Sequence, residues 1–187
     1  MKKGLIFILT LIISTTVISQ KVYDENAEVR DLKGFHGINL SSAFDVYLVQ
    51  GNEEAVAVSA ASEKDRAMIK AEVKNGILYI GLDNKGWKWN TGNKKLKAYI
   101  SFKDIDHLTI SGACDVYISG TLVADKLEIS QSGASDLKEG KFDVKNLSVE
   151  LSGASDMKIS GQASQVSINA SGASSFKGYE LATEICD

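Results

Sequence analysis

Proline is absent from the 187 residues, cysteine occurs only twice, and aromatic residues account for only 7%. A collagen-like chain is excluded because it needs abundant proline and a glycine at every third residue. Two cysteines are far too few for a small fold built on disulfide bonds. The lack of proline instead suits a chain in which most backbone N–H groups donate to strand ladders.

Charge of one sign is also lacking, since 21 Lys and Arg stand against 24 Asp and Glu. A net charge of −3 leaves no basic surface of the kind that nucleic-acid binding needs, so no nucleic-acid partner is predicted. The hydrophobic fraction of 44% and charged fraction of 24% are those of an ordinary globular domain. Disordered and coiled-coil classes are excluded by the same values.

Residues 1–20 have the pattern of a secretory signal peptide. Lys2 and Lys3 precede an apolar run over residues 4–13, and small or polar residues follow it. The run is shorter than the ~20 residues needed to cross a bilayer, so no membrane span is expected in the mature chain. We therefore predict a single domain over residues 21–187, exported to the periplasm, the cell surface or the medium.

A repeated Ser-Gly-Ala motif is the most informative feature of the second half. Its copies begin 21, 20 and 19 residues apart and cover residues 111–116, 132–137, 152–157 and 171–176, with a weaker copy at 41–46. Apolar residues alternate between the copies, which indicates strands. About 20 residues is too short for a strand and a crossover helix, so the spacing predicts a parallel β-helix with about 20 residues per coil. The motif itself predicts these turn positions: Gly112, Asp115, Gly133, Asp136, Gly153, Asp156 and Gly172.

The repeat also bears on the two cysteines. An exported chain could form a Cys114–Cys186 disulfide, but stacked coils would separate the two residues by roughly 14 Å. We favour a small buried side chain at Cys114 and a free thiol at Cys186.

Two further clusters suggest binding. Asp115, Asp136 and Asp156 share one repeat position, where they could bind Ca²⁺ or, as we favour, accept hydrogen bonds from turn N–H groups. Trp87 and Trp89 stand in a polar loop, where they could stack on a sugar or a protein partner, or cover an end of the fold. No other metal site and no cofactor is predicted.

Catalytic residues are not evident. His36 and His107 belong to no recognisable acid–base motif, and Cys114 lacks a motif that marks a nucleophile. We therefore expect no enzyme activity.

The segment Phe35-His36-Gly37-Ile38-Asn39, the following Asp45-Val46 strand and the Ser-Gly-Ala-Xaa-Asp repeats resemble the putative auto-transporter adhesin, head GIN domain family of exported proteins common in Bacteroidetes. The resemblance spans about residues 29–181. It implies an all-β, right-handed, pectate-lyase-like β-helix and a role in adhesion, with a glycan or cell-surface protein as partner. It implies no oligomeric state. The alternatives are a structural cell-envelope protein or a β-helix polysaccharide lyase or hydrolase.

Overall fold

The protein is described by a computed structural model over residues 24–83 and 95–187. The predicted signal peptide, residues 1–20, and the loop tryptophans Trp87 and Trp89 lie outside these residues. The described residues form twelve strands and one short helix: β1 (Glu28–Arg30), β2 (Gly37–Leu40), β3 (Asp45–Gln50), β4 (Ala55–Ser59), α1 (Glu63–Arg66), β5 (Ile69–Lys74), β6 (Ile77–Leu82), β7 (Lys97–Phe102), β8 (His107–Ile110), β9 (Asp115–Gln131), β10 (Asp136–Leu151), β11 (Asp156–Ala170) and β12 (Ser175–Cys186). Within these ranges, no helix combines the length and apolar character of a membrane span.

All twelve strands belong to one mixed sheet. Nine of them follow the path β1-β4-β7-β3-β9-β8-β2-β6-β5, and β10, β11 and β12 continue in turn from β9. The pairs β1–β4, β4–β7 and β5–β6 are antiparallel. The pairs that involve β2, β3 and β8 to β12 are parallel.

The predicted right-handed parallel β-helix is therefore wrong, although the all-β class is correct. The sheet is mixed and curves into a nearly closed, barrel-like form. The reason lies in the first half of the chain, where Asn75 and Gly76 adopt positive φ values of 51° and 76° and close a tight hairpin between β5 and β6. Such a turn reverses the chain at once, so the next strand runs antiparallel instead of continuing around a coil.

Strand β9 joins the two halves of the sheet. Its first residues pair with β3 and its last residues pair with β8, while its other edge pairs with β10 along its whole length. The inward side chains of both halves consequently share one hydrophobic core. Leu122 of β9 and Phe142 of β10 are neighbours in the register and are both fully buried there.

The Ser-Gly-Ala turns lie beside one another, because β9 to β12 begin in register. The second, third and fourth turns each donate the N–H of their alanine to the glycine carbonyl of the preceding turn, as in Ala134 N to Gly112 O at 2.8 Å and Ala154 N to Gly133 O at 2.7 Å; in the first turn Ala113 N donates to Ser42 O. We call this set of four turns the turn stack. In the weaker copy at residues 41–46, Ser42 takes the positive φ that glycine has in the others.

The two cysteines are both free. Cys114 is fully buried at the base of the turn stack, whereas Cys186 is exposed at the end of β12. This agrees with the arrangement favoured from the sequence.

Candidate binding surface

The aspartates of the repeat stand side by side on the outer face of neighbouring strands. Asp136 pairs with Asp115 on one side and with Asp156 on the other. Lys138 Nζ contacts both Asp115 and Asp136, and Lys177 Nζ is 3.1 Å from Asp156. The Lys138 ammonium group thus occupies the space between Asp115 and Asp136 in which a calcium ion would have to sit. This row is better described as alternating ion pairs on a solvated face than as a set of metal ligands.

The glycines of the turn stack lie where only glycine fits. At Gly153 the φ is +75°, and an added Cβ would be 2.5 Å from the carbonyl oxygen of Gly133. Gly112, Gly133 and Gly172 also have positive φ and also face the backbone of a neighbouring turn. Their role visible in the structure is to let successive turns approach closely.

Three tyrosines stack on the same outer face as the aspartates. The rings of Tyr99, Tyr47 and Tyr117 have centroid separations of 5.2 and 5.3 Å with 14° between planes. Tyr99 donates its hydroxyl to Asp24 at 2.8 Å. Burial of the ring is the main cause of a raised pKa at Tyr99, and the hydrogen bond to the Asp24 carboxylate is the second cause. Because the rings cover one another, this stack serves mainly to hold β7, β3 and β9 together.

A groove crosses the later strands at a different place. Its volume is about 640 Å³, and it lies between two rows of outward-facing residues. The first row is Val123, Asp143, Gln162 and Ala182; the second row is Asp125, Lys145, Ser164 and Glu184. We call it the binding groove.

The floor of the binding groove follows from strand alternation. Ala124, Val144 and Ala163 separate the two rows and turn their side chains inward, so that mainly backbone is left between the rows. Residues two apart on a strand are roughly 6.6 Å apart, and four adjacent strands span roughly 14 Å. The groove therefore has the shape to hold a short extended polymer that runs across the strands.

The polar groups of the groove are held in place by one another. Gln162 Nε2 donates to Asp143 Oδ1 at 2.9 Å, and Lys145 Nζ is 2.6 Å from Asp125 Oδ1. The hydrogen bond with Asp125 raises the pKa of Lys145. Since Asp104 and Glu184 also line the groove, its carboxylates outnumber its one lysine.

Gln50, the last residue of β3, holds the backbone of Val123, one of the residues that line the groove. Its side chain accepts from Val123 N at 2.7 Å and donates to Val123 O at 3.0 Å and Lys103 O at 2.8 Å. These bonds hold the exposed Val123 side chain at the rim. Gln50 is thus a positioning residue of the groove.

Sequence reasoning did not find this groove. Its signal is a triplet of two outward residues around an inward one, at 123–125, 143–145 and 162–164; the corresponding residues of β12, 182–184, are all exposed. The four segments recur 20, 19 and 20 residues apart, in step with the Ser-Gly-Ala motif. The alternation of inward and outward residues does not distinguish these two rows from other outward-facing rows. Whether a groove forms between two rows depends on how the strands bend, which the alternation does not show.

A family model described as putative auto-transporter adhesin, head GIN domain, matches residues 34–187. The chain belongs to this family. The resemblance carried by the Phe35–Asn39 segment and the repeats is thereby confirmed. No curated protein matches this head GIN chain.

Solved structures of three bacterial proteins are similar to the head GIN chain. A putative adhesin from Bacteroides fragilis has 20% identity and a TM-score of 0.77, with 86% of this chain and 73% of that one covered. A putative lipid-binding protein from Parabacteroides distasonis has 19% identity and a TM-score of 0.64, with 86% and 77% covered. A putative adhesin from the same organism has 17% identity and a TM-score of 0.62, with 86% and 76% covered. At these identities the likeness establishes a shared fold.

Proposed function

We propose that this head GIN protein is an exported, non-catalytic adhesin-type module that holds a neutral or basic surface glycan in the binding groove. The observation that carries the proposal is the groove itself, which crosses adjacent parallel strands between two rows of polar side chains. Export is supported by the signal-like pattern of residues 1–20 and by the family description.

The chemistry of the two rows favours a glycan. Carboxylate, amide and hydroxyl groups of Asp143, Gln162 and Ser164 offer the hydrogen bonds that sugar hydroxyls need. An acyl chain, the ligand suggested by the description of the Parabacteroides distasonis relative, would remove these groups from water without pairing them, which is unfavourable. The excess of carboxylates disfavours acidic polysaccharides.

The test is binding of the mature chain, residues 21–187, to an array of glycans and matrix proteins. Asp143→Ala and Gln162→Ala should each reduce glycan binding about tenfold or more, because each removes a hydrogen-bonding group of the groove. Glu150→Ala is the matched control, since Glu150 is an exposed carboxylate on the same strand as Asp143 but outside the groove. Its binding should equal that of the unmodified chain.

Three outcomes would contradict the proposal. Glycan binding that survives both groove substitutions would place the site elsewhere on the protein. A folded chain that binds no glycan would favour the structural envelope role, and binding to matrix proteins alone would favour a protein partner.

A further inference from the structure

Two histidines and an aspartate meet at the beginnings of two neighbouring strands. His36 directly precedes β2, and Asp106 and His107 stand at the start of β8. The two strands are parallel neighbours, with Gly37 opposite His107, and Asp106 N donates to His36 O at 2.9 Å. Parallel pairing therefore brings together side chains that are 70 residues apart in the sequence.

The three side chains converge on one point. Asp106 Oδ1 is 2.9 Å from His36 Nδ1 and 2.6 Å from His107 Nδ1. Each of the three residues offers one potential ligand atom, and these three atoms all lie within 4.8 Å of one another. All three side chains are about half exposed, so an ion can reach them from solvent.

We propose that His36, Asp106 and His107 bind a Zn²⁺ ion. Imidazole nitrogen and carboxylate oxygen are ordinary zinc ligands, at about 2.0–2.2 Å from the metal. In a tetrahedral site, ligand atoms at that distance from zinc are roughly 3.4 Å apart. The nitrogen–oxygen separations need to widen by only about 0.5–0.8 Å to reach this geometry, and partly exposed side chains permit such a movement.

A second carboxylate supports this assignment. Glu128 of β9 lies 3.0 Å from the far nitrogen of His107, Nε2, and is itself held by Lys126 at 2.6 Å. When Nε2 carries the ring proton and donates a hydrogen bond to Glu128, the lone pair of Nδ1 is free to bind a metal. Zinc-binding histidines usually have such a carboxylate partner, which fixes the tautomer and the ring orientation.

The ring of His36 is positioned in a different way. It packs over Gly76 of the β5–β6 turn, where an added Cβ would be 2.6 Å from Nε2 and Cδ2. The N–H groups of His36 and Gly37 both donate to Gly76 O, at 2.8 and 3.2 Å. Gly76 thus leaves room for the ring beside Asp106. Three protein ligands leave the fourth zinc position to water.

The test is calorimetric titration of the full chain with ZnCl₂. Cys186→Ser is included as a background substitution, because an exposed thiol also binds zinc. We expect saturable binding of one zinc per chain, lost in His36→Ala and in His107→Ala. Glu128→Gln should weaken binding by about 10–100-fold. Asp136→Asn, which removes a carboxylate elsewhere on the surface, should leave zinc binding unchanged.

A second measurement does not depend on variants. The chain contains only two histidines, so the ring nitrogen signals of His36 and His107 can be followed directly by NMR. Both should change together up to one equivalent of zinc and then stop. Absence of one-to-one binding, retention of binding in either histidine variant, or unchanged ring signals would overturn the proposal.

Discussion

Gly153→Ala tests how closely the turns of the turn stack approach one another. The new methyl group would lie 2.5 Å from Gly133 O and 3.0 Å from Gly133 N. Gly133 O is also the acceptor for Ala154 N at 2.7 Å. Since the obstacle is backbone and not the end of a flexible side chain, the turn must move and this hydrogen bond must weaken.

A matched control separates this clash from the cost of positive φ. Gly120 has a φ of +79°, close to the +75° of Gly153, but a Cβ added there would meet nothing within 4 Å. Gly120→Ala should therefore cost only the left-handed backbone strain, about 1–2 kcal/mol. Gly153→Ala adds a lost hydrogen bond and local overpacking, for a total of about 3–5 kcal/mol.

The assay is urea unfolding followed by circular dichroism, with the free energy of unfolding extrapolated to water. The m-values of both variants should match that of the unmodified chain, so that differences in midpoint report stability. Equal destabilisation by the two substitutions would refute the reasoning, because it would mean that the neighbouring turn does not constrain Gly153.

Three other predictions follow from the surface. Trp87→Ala combined with Trp89→Ala should lower array binding, because indole rings stack on sugars and on protein partners. Thermal unfolding checks that the variant is folded, and unchanged binding would contradict the prediction. Calcium should not raise the melting temperature of the unmodified chain, because the Lys138 ammonium already pairs with Asp115 and Asp136; a rise in the melting temperature of the unmodified chain would contradict this. Burial raises the pKa of Asp24, but its hydrogen bonds, led by the one from Tyr99, lower it further, so that the pKa in the folded state lies below the usual value. Asp24 therefore stabilises the fold at pH values above its pKa in the unfolded state. This stabilisation is lost as the pH falls through the pKa of the folded state. Tyr99→Phe should thus cost about 1–2 kcal/mol in unfolding free energy at pH 7 and progressively less below about pH 4, as measured by urea unfolding at each pH.

The spacing of the Ser-Gly-Ala motif predicted local structure better than overall architecture. Motifs 19–21 residues apart do begin parallel strands, with Asp136 opposite Asp156. Extending that arrangement to the whole chain as a β-helix was wrong, because β4, β5 and their partners pair antiparallel. Asn-Gly, the pair found at residues 75 and 76, is typical of a two-residue hairpin turn, but a local turn does not say how the strands on either side join the rest of a sheet.

The two candidate sites differ in how much the sequence reveals. The triplets of the binding groove recur with a readable period, so their alignment across strands follows once the repeat is known. The histidine cluster has no such signal, since His36 and Asp106 meet only because β2 and β8 become neighbours. Contacts of this kind depend on the order of strands in the sheet, which neither composition nor periodicity predicts.

The most direct test of the account is to locate the bound ligand. The strongest glycan from the array would be titrated into isotope-labelled protein, and amide chemical shifts would be followed residue by residue. The account predicts that the largest changes fall on residues 123–125, 143–145 and 162–164, which line the binding groove. Changes centred on the tyrosine stack, or spread evenly over the surface, would contradict it.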